Sequence, residues 1–569
     1  MSSPSAPAAP GTPNHRPPAL LGWLRGYDRA ALPADVVAGL TAAAVVLPKA
    51  MAYATVAGLP VQVGLYTAFV PPIVYAALGR SAVLSVSTTT TIAILVGSAL
   101  SEAVPGVDAA GLATAAVTLT VLVGLVLLVA AALRFGFVAN FISEPVLAGF
   151  KAGVGAVIVA DQIPKLLGFH IHKVGFFRDL VGIVRAAGET SVPTLLVSGG
   201  AVAAILALKR WLPRVPAALV AVALSIAAAA LFSLPALGVE TIGSIPAGLP
   251  SPLRPDPGLL EVLWPAAVAI ALMSFTETIA SERAFAGPGQ PRPAPNRELI
   301  ATGLANVLGG LAGAMPSGGG ASQTLVTRRA GARTQLAGLV VGLAALATLL
   351  LLAPALSLMP QAALAAIVIV YSVELLSPHE FRAIIAIRRT EFLWALTAFA
   401  GVVLLGTLRG ILVAVITSVL SLAYQAANPA VYEVVRKPGT NVFRQRSQEH
   451  PEDEAFPGLL LVRVEGRIFF GNTERVLDLV APLVAAASPR VIVLDCSAIF
   501  DLEYSALKML GEADERVRSH GGAELWLAAL NPEARRVVER SPLGKRLGRE
   551  RMFFDLEHAT ASYLERRAG

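Results

Sequence analysis

Two short segments of this chain combine polar, uncharged side chains with apolar flanks. Leu84–Ile92 reads LSVSTTTTI, and Pro316–Thr324 reads PSGGGASQT. Unpaired backbone is costly in hydrocarbon, so such segments should line a cavity or be buried in protein. A helix that begins there directs free N–H groups and its positive end inward. Two such half-helices, in corresponding positions of inverted repeats, predict an anion site, whereas the alternative is plain packing of small residues between helices.

Two ionisable residues lie in apolar surroundings, which makes them functional candidates by default. Lys49, in LPKAMAY, supplies a fixed cation if it faces a cavity, or else extends to the membrane surface. Pro48 predicts a helix break beside it. Glu277, in SFTETIASER, can bind a proton reversibly because a low dielectric constant favours the neutral carboxyl, or it can pair with Lys49. Glu282 is predicted to lie at the membrane surface.

The remaining chemistry-bearing residues predict no enzyme, no metal site and no cofactor. Cys496 is the only cysteine, which excludes an intramolecular disulfide and a multi-cysteine zinc site. Of the histidines, only His170 and His172 have a spacing that suits a metal, and chance explains it better. The run Gly318–Gly320 is not followed by the Gly-Lys-Ser/Thr of a phosphate-binding loop.

The composition points to lipid as the solvent. The 569 residues are 55% hydrophobic and 15% charged, with a mean hydropathy of +0.67, whereas soluble domains are about 25% charged. The net charge of +7 comes from Lys and Arg between apolar runs. Basic cytoplasmic loops explain it better than nucleic-acid binding does.

About fourteen membrane spans are predicted between Asp35 and Ala427. Asp35–Leu47 and Val83–Leu95 are interpreted as short, broken segments. The clear helix candidates are Leu112–Leu133, Val192–Leu208, Val215–Phe232, Leu259–Phe275, Gln335–Leu352, Glu391–Leu405 and Ile411–Tyr424.

The distribution of basic residues predicts the orientation in the membrane. With a cytoplasmic N-terminus, five basic breaks fall inside, and Asp161–Arg178 is the exception. Residues 1–30 are interpreted as a disordered cytoplasmic tail, because the first of them are rich in Pro, Ala and Ser. The five breaks are Arg134–Lys151, Lys209–Arg214, Arg283–Arg297, Arg328–Arg333 and Arg382–Arg389.

After residue 430 the pattern becomes that of a soluble domain. Residues 431–457 are polar and charged and are interpreted as a linker, and 458–569 alternate between strand and helix, which predicts a mostly parallel sheet. The predicted strands are Gly458–Val464, Arg490–Leu494 and Ala523–Ala529, and the predicted helices are Thr473–Ala487, Ser505–Ser519 and Pro532–Ser541.

Several motifs resemble the sulfate permease (SulP) family of anion transporters. The first group is DVVAGLT at 35–41, LP at 47–48, AMAYA at 50–54, AGLP at 57–60, GLY at 64–66 and ALG at 77–79. The others are NRELIATGLAN at 296–306, GARTQLA at 331–337 and MPQAALAAI at 359–367. Together they cover nearly the whole membrane region.

The resemblance implies an α-helical polytopic protein with two inverted seven-helix repeats, at about 31–235 and 258–430. A core subdomain would move against a gate subdomain, and the soluble part would be a STAS domain (sulfate transporter and anti-sigma antagonist) with a role in regulation and homodimer contacts. By motif alignment the substrate-binding residues are Lys49, Tyr53, Thr88, Thr89, Thr90, Ser322 and Gln323. Glu277 falls where proton-coupled relatives carry an acidic residue.

Three departures from the family pattern bear on the site. Lys49 stands where Gln is common, Gln323 where many members have Arg, and Ser87-Thr88 where Gly-Pro precedes the third helix. We hypothesise that the site's cation has moved from the tenth helix to Lys49. Ser505 occupies the position phosphorylated in bacterial STAS proteins, but the motif lacks its Gly, so a helix N-cap is the expected role.

The sequence therefore predicts an inner-membrane carrier with both termini cytoplasmic. It would take up a small dianion, such as sulfate or a dicarboxylate, together with protons. The alternatives are sodium-coupled bicarbonate transport, with Glu277, Thr278 and Ser281 as sodium ligands, anion exchange, and a sensor that binds an anion without flux.

Overall fold

The computed structural model describes residues 21–24, 27–140, 143–171, 175–213, 215–246, 248–250, 252–285 and 294–568. Most of the predicted tail over 1–30, and His172 of the histidine pair, lie outside these residues. The chain divides into two compact units, Met1–Ser418 and Val419–Gly569.

The first unit is built of helices with two very short strands. Its first half contains α1 (Leu32–Val56), α2 (Val61–Leu78), β1 (Val86–Ser87), α3 (Thr90–Ala103), α4 (Ala109–Ala132), α5 (Glu144–Leu167), α6 (Phe176–Ala186), α7 (Val192–Trp211) and α8 (Ala217–Leu231). Its second half contains α9 (Leu260–Phe285), α10 (Pro295–Leu311), β2 (Gly318–Gly319), α11 (Ala321–Arg329), α12 (Leu336–Ala347), α13 (Ala353–Leu356), α14 (Gln361–Ser372), α15 (Pro378–Ile387) and α16 (Arg389–Leu405). Helix α17 (Thr407–Ala427) begins in this unit.

The helices have the length and composition of membrane-spanning elements. Within the described ranges, nine helical stretches are long and apolar enough to cross a bilayer, and α3 and α8 are shorter apolar helices. A multi-pass helical membrane unit is thus confirmed, while the count of about fourteen spans stays a prediction.

Helix α1 differs from its prediction. The sequence indicated a short segment over Asp35–Leu47 with a break at Pro48, but the helix continues through Pro48 to Val56. Proline removes one backbone hydrogen bond, and packing on several sides compensates. Helix α1 packs against α2, α11, α12 and α14, so tertiary contacts override the local signal and carry Lys49 within an unbroken helix.

Asp35 anchors the start of α1 to the loop before α12. Its buried carboxylate accepts hydrogen bonds from the N–H of Arg333 at 2.6 Å, the N–H of Thr334 at 3.1 Å and the hydroxyl of Thr334 at 2.7 Å. Asp35→Ala leaves these donors unpaired, so we expect a loss of about 3 kcal/mol and a lower thermal unfolding midpoint in nanodiscs. Asp108→Ala, which removes an exposed helix cap, is the control; an equal shift in both variants would contradict this assignment.

The second unit is an α/β domain with a six-stranded sheet in the order β4-β3-β5-β6-β7-β8. The strands are β3 (Ala430–Arg436), β4 (Phe443–Gln445), β5 (Leu459–Glu465), β6 (Val491–Asp495), β7 (Glu524–Ala528) and β8 (Met552–Phe553). From β5 to β8 neighbouring strands are parallel, and β3 is antiparallel to β4 and β5. The helices are α18 (Thr473–Ala487), α19 (Tyr504–Gly521), α20 (Pro532–Arg540), α21 (Pro542–Leu547) and α22 (Leu556–Ala568).

Two predictions for this unit were wrong. The segment predicted as a linker, 431–457, forms β3 and β4, because Val434 and Val435 are buried in the sheet despite the polar residues around them. Ser505 does not cap α19. The helix begins one residue earlier, at Tyr504, with Glu503 in the cap position, and Ser505 is half-buried in the first turn. The parallel part of the sheet agrees with the prediction.

Candidate functional site

The two polar segments meet inside the membrane unit. Strands β1 and β2 pair antiparallel, with Val86 opposite Gly319 and Ser87 opposite Gly318, and the N–H of Gly320 donates to the carbonyl of Ser85 at 3.1 Å. Helices α3 and α11 begin directly after these strands, and because the strands are antiparallel, the two helix N-termini approach the strand pair from opposite ends and border one cavity. The predicted juxtaposition of two half-helices is therefore present in the structure.

Hydroxyl groups of α9 bind the unwound segment before α11. Ser274 Oγ donates to the carbonyl of Ser317 at 2.7 Å, Thr278 Oγ1 accepts from the N–H of Gly319 at 2.8 Å, and Ser281 Oγ donates to the carbonyl of Gly319 at 3.1 Å. These bonds satisfy buried backbone groups that have no helical partner. They explain why a stretch of Ser and Thr faces this point on an otherwise apolar helix.

Glycine is required at position 319 by close backbone approach. A Cβ atom there would lie 2.8 Å from the Cα of Thr278, so the backbone would have to shift. We expect Gly319→Ala to reduce anion uptake at least tenfold while the protein still folds. Gly199→Ala is the matched control, because that position has open space around it. Normal uptake by Gly319→Ala in proteoliposomes would show that the close packing has no role.

A cavity of about 340 Å³ lies at the two helix ends. Thr88 does not line it. Its side chain is buried, and its carbonyl accepts a hydrogen bond from Gln323 Nε2 at 3.2 Å, which makes Thr88 a support for the wall. The predicted substrate and coupling residues that do line the cavity are Lys49, Tyr53, Thr89, Thr90, Glu277, Ser322 and Gln323.

Lys49 faces this cavity and does not extend to the membrane surface. Its side chain is 2% exposed, and its Nζ donates to Ser322 Oγ at 3.2 Å. The Nζ also lies 3.8 Å from the centroid of the Tyr371 ring, a cation–π contact. A buried ammonium needs a counter-charge or polar partners, so this arrangement favours an anionic guest.

Glu277 is bound to the first turn of α3. Its Oε2 accepts a hydrogen bond from Thr89 Oγ1 at 2.7 Å, and Thr89 Oγ1 in turn accepts from the N–H of Ile92 at 3.3 Å. Among the described residues, no ion pair joins Glu277 to Lys49. The carboxyl thus lies at the N-terminus of α3, where the helix dipole and the hydroxyl both act on it.

The backbone at the start of α11 is open to a ligand. Gly320 occupies the N-cap position of α11. Because glycine has no side chain, it forms no side-chain hydrogen bond with the N–H groups of the first turn. In the described part of the chain, the buried Gln323 Oε1 atom also has no hydrogen-bond partner. Uncapped N–H groups at a helix N-terminus are suited to bind an anion.

Among the further residues that line the cavity are three charged or aromatic side chains that the sequence analysis missed: Lys151, Tyr371 and Glu374. Glu374 pairs with Lys209 at 2.6 Å, and Lys209 Nζ lies 4.1 Å from the Tyr371 ring centroid. Lys151 was assigned to a loop over 134–151. The Pro after Glu144 and the apolar periodicity that follows were the available signal for a helix start.

A second polar cluster lies at the ends of α9 and α10. Glu282, predicted to lie at the membrane surface, is only 5% exposed, because α9 continues to Phe285 and packs against α10. It interacts electrostatically with Glu298, a fully buried carboxyl that accepts from the Tyr75 hydroxyl at 2.7 Å. Glu282 is thus buried within the protein in the last turn of α9, and its position at the membrane surface stays a prediction.

Broken helices that meet at a polar cavity within a multi-pass unit define a class of membrane transport proteins. The chain belongs to the sulfate permease family, whose model matches residues 32–398. A STAS domain matches residues 450–559. The earlier resemblance and the fold class are thereby confirmed.

The similar proteins agree with this membership. A probable sulfate transporter of Mycobacterium tuberculosis (strain CDC 1551 / Oshkosh) is 31% identical over 555 residues, covering 96% of this chain and 99% of the relative. The chloroplastic sulfate transporter 4.1 of Arabidopsis thaliana is 28% identical, covering 95% and 82%.

Two solved structures share the fold. The murine anion transporter Slc26a9, in an inward-facing state, matches with a TM-score of 0.87 at 21% identity, over 97% of this chain and 94% of that one. The transmembrane domain of the cyanobacterial bicarbonate transporter BicA matches with a TM-score of 0.58 at 22% identity, over 69% and 98%.

Proposed function

We propose that this chain takes up a small dianion of the sulfate or dicarboxylate class by proton-coupled symport and alternating access. The observation that supports it is a single cavity containing two helix N-termini, the Lys49 ammonium and the Glu277 carboxyl. Each helix end acts as roughly half a positive charge. The positive groups bind the anion, and the carboxyl provides a place for a proton.

Substrate and proton would bind to different walls of the cavity. Lys49, the hydroxyls of Thr90 and Ser322, and the N–H groups of α11 would hold the anion, while Tyr53 forms a wall. Glu277 would take the proton, because a neutral carboxyl is favoured once water is excluded. Protons that bind with a dianion reduce the charge that must cross the membrane.

The sodium-coupled alternative has weaker support. It would use Glu277, Thr278 and Ser281 as oxygen ligands. Thr278 Oγ1, however, accepts from Gly319 and donates to the carbonyl of Ser274 at 2.6 Å, and Ser281 Oγ donates to the carbonyl of Gly319. Thr278 Oγ1 is thus already engaged both as a donor and as an acceptor within the protein, and Glu277 is the charged oxygen ligand among the three.

The remaining parts of the proposal concern the setting of the transporter. We place both termini in the cytoplasm, as the basic loops favour, and the protein in the cell's inner membrane as a homodimer with the two inverted repeats of its family. The STAS domain would regulate transport, with Ser505 as a regulatory position. Anion exchange, and a sensor without flux, are the competing functions.

Uptake by purified protein in liposomes tests the proposal. Labelled sulfate, succinate, bicarbonate and chloride are supplied under an inward proton gradient or an inward sodium gradient. We expect sulfate or succinate to accumulate under the proton gradient alone. Accumulation under sodium alone supports the bicarbonate-type alternative, exchange without either gradient supports an exchanger, and binding without flux supports a sensor.

A further inference from the structure

The cavity contains a second cation that the family resemblance does not assign. Lys151 lies on α5, seven residues after the helix begins at Glu144, and it lines the cavity. Within the described ranges, Lys151 Nζ forms neither a hydrogen bond nor an ion pair. It is close enough to Glu277 to act on it electrostatically.

The groups around Glu277 come from several helices. Lys49 and Tyr53 face the cavity from α1, Lys151 from α5, and Tyr371 and Glu374 from α14 and the turn after it. Glu374 is paired with Lys209, which offsets its charge. Two ammonium groups, Lys49 and Lys151, and one carboxylate, Glu277, therefore decide the charge of the space that the anion enters.

We propose that Lys151 is the second substrate cation and the residue that makes the site select dianions over monoanions. This rests on the function proposed above. In the empty site, Lys151 balances the Glu277 carboxylate and Lys49 remains for one negative charge. When a dianion binds, its second charge pairs with Lys151, so Glu277 loses the cation that balanced it and takes up a proton. A monoanion needs only Lys49, so it leaves Lys151 and Glu277 as they were.

This arrangement links selection to coupling. Proton uptake accompanies the dianion because the dianion and the Glu277 carboxylate compete for the same cation, Lys151, and no movement of Glu277 is required. Because Lys151 lies on α5, and Lys49 and Ser322 lie on α1 and α11, a dianion bound to all three would connect separate helices of the unit.

Cysteine substitution with chemical rescue tests the assignment in folded protein. Lys151→Cys removes the charge, and 2-aminoethyl methanethiosulfonate then restores an ammonium at that position. The native Cys496 is fully buried, and burial raises the pKa of its thiol, so it does not compete for the reagent. Sulfate is the dianion probe, and formate, as an inhibitor of sulfate uptake, is the monoanion probe.

We expect Lys151→Cys to raise the half-saturating sulfate concentration at least thirtyfold, to change formate inhibition less than threefold, and to regain sulfate affinity after aminoethylation. Lys165→Cys is the matched control: it lies on the same helix and its Nζ donates to the carbonyl of Thr55 at 3.3 Å. Unchanged sulfate affinity, an equal loss for both anions, or no effect of the reagent on Lys151→Cys would overturn the proposal. If wild-type protein takes up no dianion at all, the proposed function fails, and that result is distinct from a failure of Lys151 alone.

Discussion

Replacing Lys49 by Gln is expected to weaken sulfate binding about a hundredfold. The Lys49 ammonium is buried at the cavity with Ser322 Oγ and the Tyr371 ring as neighbours. Removing one member of a buried charge pair typically costs about 2–5 kcal/mol, and each 1.4 kcal/mol is tenfold in affinity. Equilibrium binding of labelled sulfate to purified protein measures the effect directly.

A second substitution separates the lost charge from a damaged structure. Gln323 lines the same cavity from α11, and many family members carry Arg at its position. Adding Gln323→Arg to Lys49→Gln is therefore expected to restore most of the sulfate affinity, since it returns a cation to the cavity. Lys165 does not line the cavity, so the control variant Lys165→Gln should bind sulfate normally. Wild-type affinity in Lys49→Gln would remove Lys49 from the site.

The second large effect is expected for Glu277→Gln. The amide keeps an oxygen for the Thr89 hydroxyl, which lies 2.7 Å from the Glu277 carboxylate, but it cannot take up or release a proton. Uptake should therefore lose its acceleration by an inward proton gradient, by tenfold or more, and accumulation against a gradient should stop. Exchange of sulfate across the membrane at equal pH should continue, because binding does not need the proton site.

Glu261→Gln provides the matched control for this prediction. Glu261 lies in the first turn of the same helix, α9, and is exposed. Its replacement should leave the response to pH unchanged. If Glu277→Gln still accumulates sulfate under a proton gradient, the proton is carried by another group, and Glu298 with Glu282 is the pair to test next.

Much of the membrane unit could be predicted because the apolar runs are long. The predicted helix at Val192–Leu208 agrees with α7 to within three residues at its C-terminal end, and Thr473–Ala487 in the second unit matches α18. The errors arose where packing outweighs local signals. Pro48 does not break α1, and strand β3 pairs with β5 although much of it lies in a segment, 431–457, that is rich in charged residues.

The site shows the same division. The polar segments, Lys49 and Glu277 were identifiable from the sequence, because polar groups in apolar surroundings need a reason to be there. Lys151, Tyr371 and Glu374 could not be identified in this way, since each is a single polar residue in or beside a helix whose sequence shows no other sign of a binding site. Their common position depends on how α14 packs against both α1 and α5, which no local pattern records.

The most direct test of the account is whether the anion itself moves protons. Liposomes containing the purified protein and a pH-sensitive dye are given sulfate outside, without an imposed ion gradient and without sodium. Our account predicts that the lumen becomes acidic with wild-type protein and does not with Glu277→Gln. Sulfate entry at the normal rate with no change in internal pH would contradict it.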